Sequence, residues 1–139
     1  MRLFALVLLS VLATVTSANP WLCNTEQSTG FIFKNGNWEQ GSFTVEDRKY
    51  ILRKLTKGDF YYRVDNKYGL FLLGTDLVGT PCGDPTISGN IFCEDFFGQF
   101  KFSTKSGRFL MTYTSGYWDS IADDESHTPL ISIGRCSKI

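Results

Sequence analysis

The chain has no Cys-x-x-Cys pair, no Asn-x-Ser/Thr acceptor, a single histidine and no surplus charge of either sign. Each absence removes a class of function. Structural zinc and dithiol redox sites need closely spaced cysteines, and the four here stand far apart. N-linked glycosylation has no acceptor to use. The 14 basic and 14 acidic residues cancel, so no cationic excess is left to neutralise phosphates and nucleic acid is an unfavourable partner. No polybasic run marks an anionic membrane surface. A Gly-x-Ser-x-Gly nucleophile elbow is missing, as is a glycine-rich loop opening a helix. Helical periodicity is itself scarce: the least poor candidate, Val45 to Leu55 behind a Thr44 cap, suits a strand as well. No internal repeat or low-complexity tract occurs.

The N-terminus reads Met1-Arg2, an apolar run from Leu3 to Ala13, and then Thr14-Val15-Thr16-Ser17-Ala18. A short basic start, an apolar centre and small residues at the last and third-last positions predict a cleaved signal peptide over residues 1–18, with Asn19 as the new N-terminus. Spanning a bilayer takes roughly 20 apolar residues, more than this run offers, so no membrane span is expected after cleavage. Cys23 follows Pro20-Trp21-Leu22, which is not a lipid-attachment context. Residues 19–139 are then one domain, exported to a periplasm or the extracellular space, with Arg2 lost and a net charge of −1.

An even number of cysteines behind an export signal reads as disulfides, and four allow three connectivities. Cys82 and Cys93 bracket a turn-rich stretch containing Gly83, Asp84, Pro85, Ser88, Gly89 and Asn90. Cys23 and Cys136 sit near the two ends of the domain, and domain termini usually lie close in space. The expected bridges are Cys82–Cys93 and Cys23–Cys136.

Aromatic and β-branched residues broken by frequent turn signals make up the rest. Thr29 to Lys34 and Asn37 to Phe43 flank Asn35-Gly36, a type I′ hairpin signal. Lys49 to Leu55 and Asp59 to Asp65 read as strands, the latter with Phe60, Tyr62 and Val64 on one face, and Tyr68 to Leu73 follows. Residues 74–90 read as the longest irregular region, with Ile91 to Cys93 as a short strand. Gly98 to Ser103 and Arg108 to Thr114 alternate as a hairpin, and Leu130 to Cys136 ends the series. The expected fold class is all-β: a small antiparallel β-barrel or sandwich of about eight or nine short strands, stapled by disulfides.

Candidate sites are few. The polar loop Asp119, Asp123, Asp124, Glu125, His127 holds the only histidine. Carboxylates beside an imidazole suit acid–base chemistry, but the glycine and the alternation of a calcium loop are missing. Solvated loop is the competing reading. Three tryptophans, six tyrosines and twelve phenylalanines either fill a small core or offer stacking faces. The binding residues singled out are Trp38, Trp118, Asp123, Asp124 and His127. No catalytic set, metal or cofactor is expected.

Gly36-Asn37-Trp38 resembles the Gly-x-Trp of lipocalins, although here the tryptophan falls in the second strand and no C-terminal helix follows. The C-terminal third, with Gly98 to Phe102, Arg108 to Tyr113, Thr128 to Ile131 and Gly134-Arg135-Cys136, resembles small exported proteins of alphaproteobacteria. That second resemblance implies a periplasmic location and a shared framework, and transfers no catalytic residue. Together the readings lead to a monomeric, non-enzymatic binding or inhibitor-type module with an envelope protein as partner. The alternatives are a lipocalin-like carrier of an apolar small molecule, and a small hydrolase centred on Asp119 to His127.

Overall fold

Alternation along the chain becomes the inside and outside of a closed sheet. The computed structural model describes residues 19–75, 78–96, 98–118, 122–123 and 128–139. Residues 1–18, expected as the signal, lie outside them. Nine strands follow in order: β1 (Trp21–Lys34), β2 (Asn37–Ser42), β3 (Lys49–Lys54), β4 (Tyr68–Leu72), β5 (Val78–Cys82), β6 (Asn90–Glu94), β7 (Gly98–Ser103), β8 (Arg108–Tyr113) and β9 (Leu130–Lys138). All pairings are antiparallel, with no helix among the described residues. Strands β3 to β9 pair consecutively, and β1 closes the ring between β3 and β9. This is an eight-stranded closed barrel with β2 as one extra strand.

β1 is long enough to serve two partners on one edge. Its first residues, Trp21 to Asn24, pair with β3, and its last, Thr29 to Lys34, pair with β2. β2 and β3 thus form one stave interrupted by residues 43–48, opposite a register shift between Thr25 and Gln27. Asn35 (φ 50°) and Gly36 (φ 78°) both take the left-handed conformation that a type I′ turn needs.

The inward positions fill the axis. Cys23, Leu52, Leu70, Ile91, Phe100, Phe102 and Phe109 are buried together with the other three cysteines, and Phe100 stacks on Phe109 with ring centroids 4.9 Å apart. Eight strands leave an interior that side chains alone can occupy. Both disulfides join directly opposed residues of neighbouring strands: Cys23–Cys136 across β1 and β9, and Cys82–Cys93 across β5 and β6.

Two strand expectations need correction. Residues 59–65 are not a strand. They belong to the loop 55–67 between β3 and β4, leaving Phe60, Tyr62 and Val64 exposed. Asp59 sets this loop. Arg53 Nη1 and Nη2 donate to its two carboxylate oxygens at 2.9 and 2.8 Å, and Thr56 donates from its backbone N at 2.6 Å and from Oγ1 at 3.0 Å. Tight turns at Asp59 and Tyr62 follow, and both edges of the adjoining β3 and β4 are already paired. Conversely, residues 78–82, read as irregular because of Gly79 and Pro81, are β5. Pro81 is tolerated because β5 meets β6 only at Cys82↔Cys93.

The hydrogen bonds from Arg53, set against partial burial and joined by those from Thr56, hold the Asp59 carboxyl well below the usual carboxylate range. A depressed folded-state pKa stabilises fully above the unfolded value of roughly 4, and the contribution is lost progressively as pH falls from there through the lower folded value. Urea unfolding of wild type and Asp59→Asn should therefore differ most at pH 6, with the gap narrowing steadily below pH 4. A gap that does not change with pH would contradict this assignment.

The turns 55–67, 83–89 and 104–107 share one end of the barrel with both domain termini, where Ile139 N donates to Pro20 O at 3.0 Å. This is the terminal end. The β1–β2 hairpin projects at the other, the hairpin end, with residues 43–48 and 114–118.

Candidate functional site

The projecting hairpin carries an exposed aromatic cluster. Phe33 and Trp38 are directly paired across β1 and β2, so they share the sheet face that also presents Thr29, Ile131 and Ile133. Their rings lie 5.3 Å apart. Tyr117, from the chain leaving β8, meets Trp38 edge-on at 5.1 Å. Such ring pairs add about 0.5–1.5 kcal/mol each beyond their buried area. The Trp38 indole donates from Nε1 to Asp123 Oδ1 at 3.0 Å, which fixes the half-buried ring. Phe31, Tyr117 and Trp118 are exposed, Trp118 to 70%.

Of the residues singled out from the sequence, the structure brings Trp38 and Asp123 into contact and places Trp118 next to Tyr117, the ring that touches Trp38. Asp119, Asp124, Glu125 and His127 lie outside the described residues. Phe31, Phe33 and Tyr117 were not singled out. Phe33 was findable, because a two-residue Asn35-Gly36 turn makes it the cross-strand partner of Trp38.

β2 has a second property. With Lys34 and Asn37 as the closing hydrogen-bonded pair, the backbone groups of Asn37, Glu39 and Gly41 turn towards β1, and those of Trp38, Gln40 and Ser42 turn the other way. On that side β2 has no neighbouring strand among the described residues. Edge strands are usually blunted by lysine, proline or a bulge. β2 reads Asn-Trp-Glu-Gln-Gly-Ser and has none of these, only Glu39. At its base an open cleft of about 360 Å³ runs between Thr29, Ser42, Phe43, Val45, Ile131 and Ile133.

The barrel axis offers much less room. The hollow that reaches it, at the hairpin end among Leu70, Thr80, Phe100, Met111 and Tyr113, has a volume of about 100 Å³, whereas ligand pockets run to roughly 300–1,000 Å³. Among the described residues no three His, Cys, Asp or Glu side chains stand close enough to share a metal ion. The chemistry on offer is stacking on aromatic faces and strand pairing along an open edge.

No protein-family model matches the chain, and neither curated proteins nor solved structures match it.

Proposed function

We propose that the protein is an exported, non-enzymatic binding module that takes an extended segment of a partner protein against the open edge of β2. The single observation behind this reading is that the unpaired backbone of Trp38, Gln40 and Ser42 lies beside an exposed aromatic cluster. Strand addition draws affinity from main-chain hydrogen bonds and specificity from sites for alternate side chains. Phe33, Trp38 and Tyr117 supply one such site, and the cleft at Phe43 and Val45 supplies the next along the strand.

The two disulfides suit an oxidising compartment. Residues 1–18 as a signal, and the resemblance to small alphaproteobacterial exported proteins, make a periplasm the favoured location. An envelope protein as partner and inhibition as the mode of action belong to the same proposal. A carrier of an apolar molecule in the barrel finds little support, because aromatic side chains and both disulfides occupy the axis.

The test is a display library of random linear peptides panned on the oxidised protein, with winners remeasured by calorimetry. Gln40→Pro removes an N–H from the open edge without touching the β1 ladder, and should weaken the selected peptides at least tenfold. Trp38→Ala should do the same, because buried aromatic anchors dominate such interfaces. Peptides that bind both variants as tightly as wild type, or a library that yields none, would overturn the reading.

A further inference from the structure

We propose that the terminal end of the barrel docks on an anionic phospholipid surface, independently of the β2 edge. No polybasic run exists in the sequence, yet the turns gather cations that are distant along the chain. Lys54, Lys57, Arg63 and Lys67 come from the loop between β3 and β4 and its flanks, Lys105 from the β7–β8 turn, and Lys138 from the end of β9. None of them is in an ion pair among the described residues. They outnumber Asp65 and Asp84, the third carboxylate in these turns being Asp59, which is held by Arg53.

Apolar side chains project from the same turns. Phe60 is 88% exposed, Val64 82%, and Ile87 fully. The turns that carry them are braced. The Arg53–Asp59–Thr56 bonds fix one. The other is tied to the β7–β8 turn by Thr104, whose N and Oγ1 both donate to Gly89 O, at 2.9 and 2.8 Å. Isolated apolar tips ringed by cations match the boundary between headgroups and acyl chains, where apolar groups enter and lysines meet phosphate.

The alternatives fit less well. Nucleic acid would use the cations but give Val64 and Ile87 nothing to bind, since aliphatic tips neither stack on bases nor meet phosphate. A protein surface would favour one continuous patch, and these tips are divided between the loop 55–67 and the turn 83–89. The opposite end of the barrel carries Glu39, Glu46, Asp47, Asp95 and Asp123 against Lys34, Arg48 and Lys49. Near-zero net charge therefore conceals an axial dipole, which turns the terminal end towards an anionic surface and leaves the β2 edge pointing away from it.

The experiment is co-flotation of the oxidised protein with vesicles of phosphatidylcholine alone or with three-tenths phosphatidylglycerol, at rising salt. Expected is binding to the anionic vesicles at least tenfold tighter than to the neutral ones, weakening with salt. Phe60→Asp combined with Val64→Asp, and separately Lys57→Glu combined with Lys67→Glu, should each lower it about tenfold with Tm unchanged. Lys34→Glu at the hairpin end should not. Phe60→Trp should add fluorescence quenched by brominated acyl chains. Equal binding to neutral vesicles would overturn the proposal. So would retention of anionic binding by Phe60→Asp/Val64→Asp, or duplex DNA binding as tightly as the vesicles and insensitive to that pair. Loss of vesicle binding with peptide capture intact would sink the docking face alone, and the reverse would sink the β2 reading alone.

Discussion

Replacing Cys23 and Cys136 together by alanine should lower the unfolding free energy by about 5 kcal/mol, the larger of the two disulfide effects. The bridge spans 113 positions, and the chain entropy it removes from the unfolded state grows with the logarithm of loop length. Cys82–Cys93 spans 11, for which the same relation gives about 3 kcal/mol. Domains of this size are stable by about 5–15 kcal/mol, so the first double variant loses a third or more of that stability and should unfold at lower urea than the second. The difference has a structural source. Cys23 pairs directly with Cys136 where β1 meets β9, the contact that closes the barrel and joins the strands most distant in sequence. Urea midpoints of the two double variants decide the matter. A smaller loss for Cys23→Ala/Cys136→Ala than for Cys82→Ala/Cys93→Ala would refute the entropic account.

Phe100→Ala should cost about 3–5 kcal/mol, the range for deleting a buried aromatic side chain whose surroundings cannot collapse. Phe100 is among the fully buried side chains. It stacks on Phe109, lies with its ring centroid 6.5 Å from that of Tyr50, and sits between Cys93 and Met111 on the neighbouring strands. β6 and β8 flank Phe100 within the sheet and Tyr50 of β3 faces it across the barrel, so little relaxation is available. Phe92→Ala is the control. Phe92 stands on β6 opposite Lys101, on the outer face, and its loss should cost less than about 1 kcal/mol. Similar costs for the two would mean that the inside and outside of the sheet have been assigned wrongly.

Much of this framework was legible from residue order. The period-two pattern of Phe100 and Phe102 against Phe109, Met111 and Tyr113 pointed to one face of β7 and β8, on which Phe100, Phe102 and Phe109 are buried and Met111 packs against them, because alternation is a local property of extended chain. Asn35-Gly36 marked its turn for the same local reason. The same rule failed at Phe60, Tyr62 and Val64. Their spacing suits a strand, but a strand needs a neighbour, and Arg53 and Thr56 capture Asp59 into a turn instead. The stretch Asn24 to Gln27 of β1 lacked the apolar signal. It is extended because β9 holds it on one side, with β3 reaching it at Asn24 and Arg48 O accepting from Thr25 N on the other.

The candidate site divides in the same way. Trp38 and Asp123 could be noticed separately as an aromatic and an acidic residue, but they are 85 positions apart and only barrel closure brings them to hydrogen-bonding distance. Tyr117 gave no signal of its own. The cations of the terminal end are unremarkable in the sequence because they are spread over several turns, and an up-and-down meander returns every second turn to the same end.

By itself the sequence determined the all-β class and the hairpin at Asn35-Gly36 and favoured the two disulfide pairings that the structure shows, since alternation, turn chemistry and cysteine placement are written in short stretches of chain or in its two ends. Tertiary structure alone decided that β2 stays outside the ring with an open edge, that the axis is filled, and that charge separates to the two ends. Each of these depends on which strands become neighbours when the sheet closes, and closure is a property of the whole chain.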